Sequence, residues 1–165
     1  MKTTKRPKSS ATTRPKPAKG KLPRRPNRRR PVVLVVDDEP VLRGMLKLAL
    51  EQLAHFRVID AATSELALEL AEQDEVDVVI SDLNRWPGMD GFQFLKFFKQ
   101  TYPDTPVIVL SGVLTGARQR RAYRLGAFRC LVKPVSADEF LSVVREALEH
   151  RTARKNHAGA ALSPS

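Results

Sequence analysis

The stretch Val32-Val33-Leu34-Val35-Val36-Asp37-Asp38-Glu39-Pro40 decides the fold. Five aliphatic residues, four of them β-branched, stop abruptly at three carboxylates and a proline. A strand with one wet face alternates apolar and polar residues; an unbroken run is buried on both faces, as in a parallel sheet covered by helices. The proline after the acidic residues suits the first turn of a following helix.

Four more apolar runs follow, Phe56 to Ile59, Val76 to Ile80, Val107 to Leu110 and Cys130 to Val132, interrupted only by Arg57 and Asp77, each short and bounded by Asp, Pro, Ser or Gly. Between them the apolar period changes from continuous to helical, as in Val41, Leu42, Met45, Leu46, Ala49, Leu53 and in Leu66, Ala67, Leu70, Ala71. Helix starts are marked by Thr63 or Ser64 and by Ser136-Ala137-Asp138-Glu139, which matches a capping box. Five strands alternating with five helices make a doubly wound α/β domain with a parallel sheet. Phe92, Phe94, Phe97 and Phe98 pack the third helix on the sheet, but four aromatics in seven positions cannot all face inward. Phe94 or Phe98 is expected to be the exposed one.

Charge divides the 165 residues into three parts. The whole chain is +11, yet residues 1–30 alone carry +13 with no acidic residue, residues 31–150 carry −5, and the remaining end carries +3. The first 31 residues also hold six of the 12 prolines, too few apolar groups to offset ordering entropy, and no amphipathic helical pattern. The reading is a disordered basic tail over 1–31, a domain over 32–150, and a flexible, frayed end over 151–165. Lys and Arg without interleaved aromatics favour unspecific, salt-sensitive contact of residues 1–30 with nucleic acid or an anionic surface. One cysteine, Cys130, excludes an intramolecular disulfide framework and suits a reducing, cytoplasmic setting. No apolar run approaches the roughly 20 residues of a membrane span, and no signal-peptide core precedes the domain.

In an open parallel sheet, ligands bind outside the carboxyl ends of the strands. Those ends read Asp37-Asp38-Glu39, Ser81-Asp82, Ser111-Gly112 and Lys133-Pro134, so the topology gathers them at one edge. Carboxylates crowded together need a neutralising cation or a shared proton, and Mg²⁺ suits all-oxygen donors. Asp82, on the central strand, is the best-placed nucleophile for a phosphoryl group. Lys133 offers a point charge to phosphoryl oxygen, Ser111 a hydroxyl, and Gly112 an unobstructed approach. Taken alone, Asp37-Asp38-Glu39 also reads as a helix N-cap cluster that needs no metal.

Together these residues resemble the receiver domain of two-component response regulators. The signature is distributed: Val35-Val36-Asp37-Asp38-Glu39-Pro40, Asp82-Leu83, Pro87-Gly88-Met89-Asp90-Gly91, Ser111-Gly112, Gly126-Ala127 and Lys133-Pro134. The resemblance implies a five-stranded flavodoxin-like sheet of order 2-1-3-4-5 with five helices. It implies that Asp82 accepts a phosphoryl group from a histidine kinase or histidine phosphotransfer protein. Asp38 would bind Mg²⁺ directly, Asp37 through water, and the backbone carbonyl of Asn84 would be the third protein contact beside Asp82.

Two departures stand out. The family's turn after its phosphorylated Asp is one residue shorter than Asp82-Leu83-Asn84-Arg85-Trp86-Pro87-Gly88, so the loop carrying Asn84 must bulge. That makes Arg85 a candidate to reach the phosphoryl group and Trp86, the one tryptophan, a reporter beside the site. Cys130 stands where the family usually places Tyr or Phe, so the aromatic that normally swings inward on phosphorylation is missing. Arg118, Arg120, Arg121 and Arg124 read as a solvated face of the fourth helix that borders a partner surface. Cys130 reads as a small core residue.

The functional expectation is a stand-alone phosphoacceptor that signals to a downstream protein by contact, not an enzyme beyond its own phosphotransfer and autodephosphorylation. The rival is a receiver-like scaffold with weak or no phosphorylation, tethered by its tail. A Mg²⁺-dependent phosphatase is disfavoured, because Asp82-Leu83-Asn84 lacks a second carboxylate to act as general acid and base.

Overall fold

The structure is a computed structural model that describes residues 29–84 and 88–160, with side chains to residue 156. Strands and helices alternate without exception: β1 (Val32–Val36), α1 (Pro40–Ala54), β2 (Arg57–Ala61), α2 (Ser64–Gln73), β3 (Val78–Ser81), α3 (Gly91–Thr101), β4 (Val107–Ser111), α4 (Gly116–Arg124), β5 (Arg129–Val132) and α5 (Ala137–Ala160). All strand pairs are parallel, in the order β2-β1-β3-β4-β5. This is the architecture expected from the five apolar runs. The expectations for residues 1–28, for Arg85, Trp86 and Pro87, and for residues 161–165 lie outside the described residues.

The absence of polar alternation in the strands has a direct cause. In β1, Val33 and Val35 enter one core with α1 and α5, whereas Leu34 and Val36 enter a second core with α2, α3 and α4. In β4, Ile108 and Leu110 join the first core and Val107 and Val109 the second. Two cores sandwiching one sheet leave no wet face on a central strand. β2 is an edge strand, pairing only with β1. It runs on to Ala61 and carries the half-buried Asp60, which accepts hydrogen bonds from Arg43 at 3.4 Å and Lys47 at 3.1 Å.

Helix starts follow the capping signals. Thr63 caps α2 by accepting from the Leu66 amide at 3.2 Å, and Ser136 accepts from the Glu139 amide at 3.2 Å before α5. α3 opens with a complete capping box, Asp90 and Gln93. Glu39 precedes α1 without a side-chain cap of its own; Asp37 Oδ1 accepts from the Glu39 amide at 2.8 Å.

Two expectations are corrected. On α3, Phe94 and Phe98 are fully buried, and Phe97 is the exposed ring at 48%. Residues 91, 92, 94, 95 and 98 form the buried side of the helix, and Phe97 lies about 100° round it from Phe98. The domain also does not fray at residue 150: α5 continues to Ala160, and Arg151 is only 8% exposed. Its Nε donates to Asp77 Oδ1 at 3.1 Å, and its guanidinium also bonds Thr105. Asp77 in turn accepts from the Val32 amide at 2.9 Å and from Arg29 at 2.8 Å. The last turns of α5 are thereby fastened to the entry of the sheet, at the edge opposite the carboxyl ends.

Candidate functional site

Backbone pairing sets the positions of the polar residues at the strand ends. The Asp37 amide bonds Ala61 O at 3.2 Å, the Asp82 amide bonds Val36 O at 3.1 Å, and the Lys133 amide bonds Ser111 O at 3.0 Å. Each residue therefore continues the ladder by one step and projects from the same rim. Asp37, Asp38, Glu39, Asp82, Leu83, Asn84, Gly112, Val113, Arg118 and Lys133 line one open pocket there.

Within it, Asp37 and Asp82 are buried, at 3% and 4% exposure, and Asp38 is exposed. Carboxylate oxygens of Asp37, Asp38 and Asp82 all lie within 4.8 Å of one another. The Lys133 ammonium sits among them, 2.8 Å from Asp37 Oδ2 and 3.4 Å from Asp82 Oδ2. Burying two carboxylates is tolerated only when they are paired, and here Lys133 supplies the cation. Asp82 is oriented further: its Oδ1 accepts from the amides of Leu83 at 2.6 Å and Asn84 at 3.2 Å, leaving Oδ2 on the lysine side. The three-carboxylate donor set is all oxygen and adjoins open space, which fits a hard divalent cation.

The remaining sequence-chosen residues fall into place less uniformly. Ser111 is fully buried, with its hydroxyl against the Val113 amide and carbonyl at 3.4 and 3.5 Å. Gly112 lines the pocket, but a Cβ there would meet nothing within 4 Å, so its openness does not depend on being glycine. Asn84 lines the pocket and donates its amide to Asp82. Gly91 matters in a way the sequence did not disclose: a Cβ there would lie 2.5 Å from the Asp82 carbonyl and 2.6 Å from Leu83 Cα. The N-terminus of α3 can approach the end of β3 this closely only without a side chain.

Arg118 was expected on a solvated face. It is half-buried, stacks over Phe92 at 5.1 Å and donates to the Leu83 carbonyl at 3.2 Å. Arg121, one turn on, lies over the same ring at 4.2 Å. Cys130 packs against the core beside α3 and α4, as expected of a small core residue. Burial pushes its thiol up from an ordinary 9.0 to about 11, against a hydrogen bond with Tyr123 that pulls it down.

A family model described as the response regulator receiver domain matches residues 33–145. The chain belongs to the response regulator receiver family. As a receiver it is 36% identical over 121 residues to the DNA-binding transcriptional regulator NtrC of Escherichia coli K12, an alignment covering 73% of this chain and 25% of that protein. The chain thus spans about a quarter to a half of the length of the curated relatives it matches. Among solved structures, the receiver domain of an HD domain-containing protein from Pseudomonas fluorescens superposes with a TM-score of 0.71 and 36% identity, covering 76% of this chain and 99% of that one. Chemotaxis protein CheY4 of Vibrio cholerae gives 0.68 and 31%, covering 73% and 100%. No helix among the described residues is long and apolar enough to cross a membrane.

Proposed function

We propose that this receiver accepts a phosphoryl group on Asp82 from the phosphohistidine of a histidine kinase or histidine phosphotransfer protein and signals, in the cytoplasm, through contact with a downstream protein. The observation that carries the reading is the state of Asp82. Two backbone amides fix one oxygen, while the other faces Lys133 within an oxygen-only cluster with Asp37 and Asp38. Asp37, Asp38, Asp82 and the Asn84 carbonyl would hold Mg²⁺, which when bound supplies charge neutralisation to the transferring group. Asp82 attacks phosphorus, the P–N bond to the donor imidazole breaks as the P–O bond forms, and the imidazole leaves. Lys133 screens the oxygens of the incoming group, and the Ser111 hydroxyl turns from Val113 to donate to one of them.

The rim of the site also suits a protein donor. Glu39 and Lys133 are shared with an apolar groove that includes Val41 and Met45 of α1, both more than 60% exposed. The groove is continuous with the phosphoacceptor pocket, so a donor helix bearing phosphohistidine can cover it while presenting its imidazole to Asp82. Phosphotransfer from a phosphohistidine protein and from acetyl phosphate tests this in one experiment. Asp82→Ala removes both, and Met45→Asp slows only the protein donor; equal transfer to Asp82→Ala would refute the reading.

Residues 1–30, with their +13 charge, supply salt-sensitive contact with polyanions. Retention on a nucleic acid or an anionic surface should then fall steeply between low and physiological salt. A chain lacking residues 1–30 that binds equally well would contradict the assignment.

A further inference from the structure

Arg118 occupies its place in the site against several unfavourable terms. It is the third residue of α4, within the positive end of the helix dipole, where a cation is disfavoured. Its guanidinium shares the ring of Phe92 with that of Arg121, a second like charge. Its Nε is buried without a hydrogen-bond partner among the described residues, and no carboxylate among them pairs with it. A buried N–H left without an acceptor is costly, and in a charged guanidinium it is a donor held ready for an acceptor that arrives later.

The pocket supplies the position for that acceptor. Arg118 donates to the Leu83 carbonyl, one residue from Asp82, and lines the same cavity as Asp82 and Lys133. Lys133 is already divided between Asp37 and Asp82. A phosphoryl group on Asp82 adds negative charge and three oxygens with several lone pairs each, so that acceptor capacity remains beyond what Lys133, the Ser111 hydroxyl and a bound Mg²⁺ would use. We propose that Arg118 is a phosphoryl-binding residue of this receiver: once Asp82 is phosphorylated, its guanidinium donates to a phosphoryl oxygen as a cation additional to Lys133 and Mg²⁺. The contact is made from α4, so it ties the first turn of that helix to the state of Asp82. This gives the chain a physical link between the site and α4 that does not involve the residue at Cys130. The inference rests on the phosphoacceptor reading and deepens it.

Calorimetric titration of the full chain with Mg²⁺, and then with beryllofluoride in saturating Mg²⁺, tests it. Removing a positive charge that serves the phosphoryl group should act with opposite signs on the two ligands. Arg118→Gln is expected to bind Mg²⁺ at least as tightly as the parent and beryllofluoride about tenfold more weakly, with Arg118→Lys in between. Parent-like beryllofluoride affinity in Arg118→Gln, or parallel weakening of both ligands as expected from a residue that only positions the Leu83 loop, overturns the proposal and leaves the phosphoacceptor reading intact. A parent that binds Mg²⁺ but no beryllofluoride overturns both. Thermal unfolding is followed for each variant; if Arg118→Gln does not fold, Arg118→Met, which keeps an unbranched stem against Phe92, is judged by the same criterion.

Discussion

The Lys133 ammonium lies 2.8 Å from Asp37 Oδ2, nearer than its 3.4 Å to Asp82 Oδ2. In this state the lysine does for the acidic cluster what a divalent cation would do, and the two would compete for Asp37. Lys133→Met should therefore bind Mg²⁺ several-fold more tightly, by relief of like-charge repulsion. Phosphorylation of Asp82 should fall at the same time by about 10²-fold or more, the usual effect of losing a charge-stabilising donor. Equilibrium Mg²⁺ titration and phosphorylation rates check the two halves separately.

Two glycines at the rim differ in what they permit. Gly91→Ala places a Cβ against the Asp82 carbonyl and Leu83 Cα, at 2.5 and 2.6 Å, and both contacts are backbone. It should destabilise the domain by about 1–3 kcal/mol and slow phosphorylation through displacement of the strand end. Gly112→Ala meets nothing within 4 Å and should leave stability within about 0.5 kcal/mol of the parent. Denaturant unfolding of both variants checks the contrast.

Arg151 and Asp77 form a buried pair that holds the end of α5 to the start of β1. Arg151→Ala should cost about 2–3 kcal/mol, less than the full penalty of a stranded buried charge because Arg29 and the Val32 amide still serve Asp77. A chain ending at residue 150 should lose at least as much. Thermal melts of both proteins supply the measurement.

The strands and most of the pocket were legible because one physical circumstance produced both signals. A strand buried on both faces reads as an apolar run, and the first one or two polar residues after it mark the carboxyl edge where the site lies; Asp37, Asp82, Ser111 and Lys133 all stand there. Arg118 and Arg151 were not, because each comes from a helix. A charged helical residue has the same appearance in sequence whether its partner is water or a buried carboxylate 74 positions away, as for Arg151 and Asp77. Phe97 shows a different limit: residues one apart on a helix are separated by angle, and only the docking of α3 decides which ring turns inward.

Cys130 bears on pH. Its thiol titrates near 11 in the folded chain rather than at the ordinary 9.0, so folding favours the neutral form. That contribution to stability is fully present below pH 9 and is lost as pH rises through about 11. In the native protein at pH 8, alkylation of Cys130 by iodoacetamide should be much slower than in the unfolded chain, and should accelerate as the pH approaches 11. Mass spectrometry of the alkylated fraction across that range checks the direction.

The central claim concerns one atom group, the Asp82 carboxylate, and the most direct test locates the phosphoryl group chemically. The chain is phosphorylated in the presence of Mg²⁺, the acyl phosphate is reduced with borohydride, and the product is mapped by peptide mass spectrometry. Mg²⁺-dependent conversion of residue 82 to homoserine, absent in Asp82→Asn, is the expected result; no Mg²⁺-dependent incorporation, or conversion at another residue with residue 82 unmodified, would contradict the account.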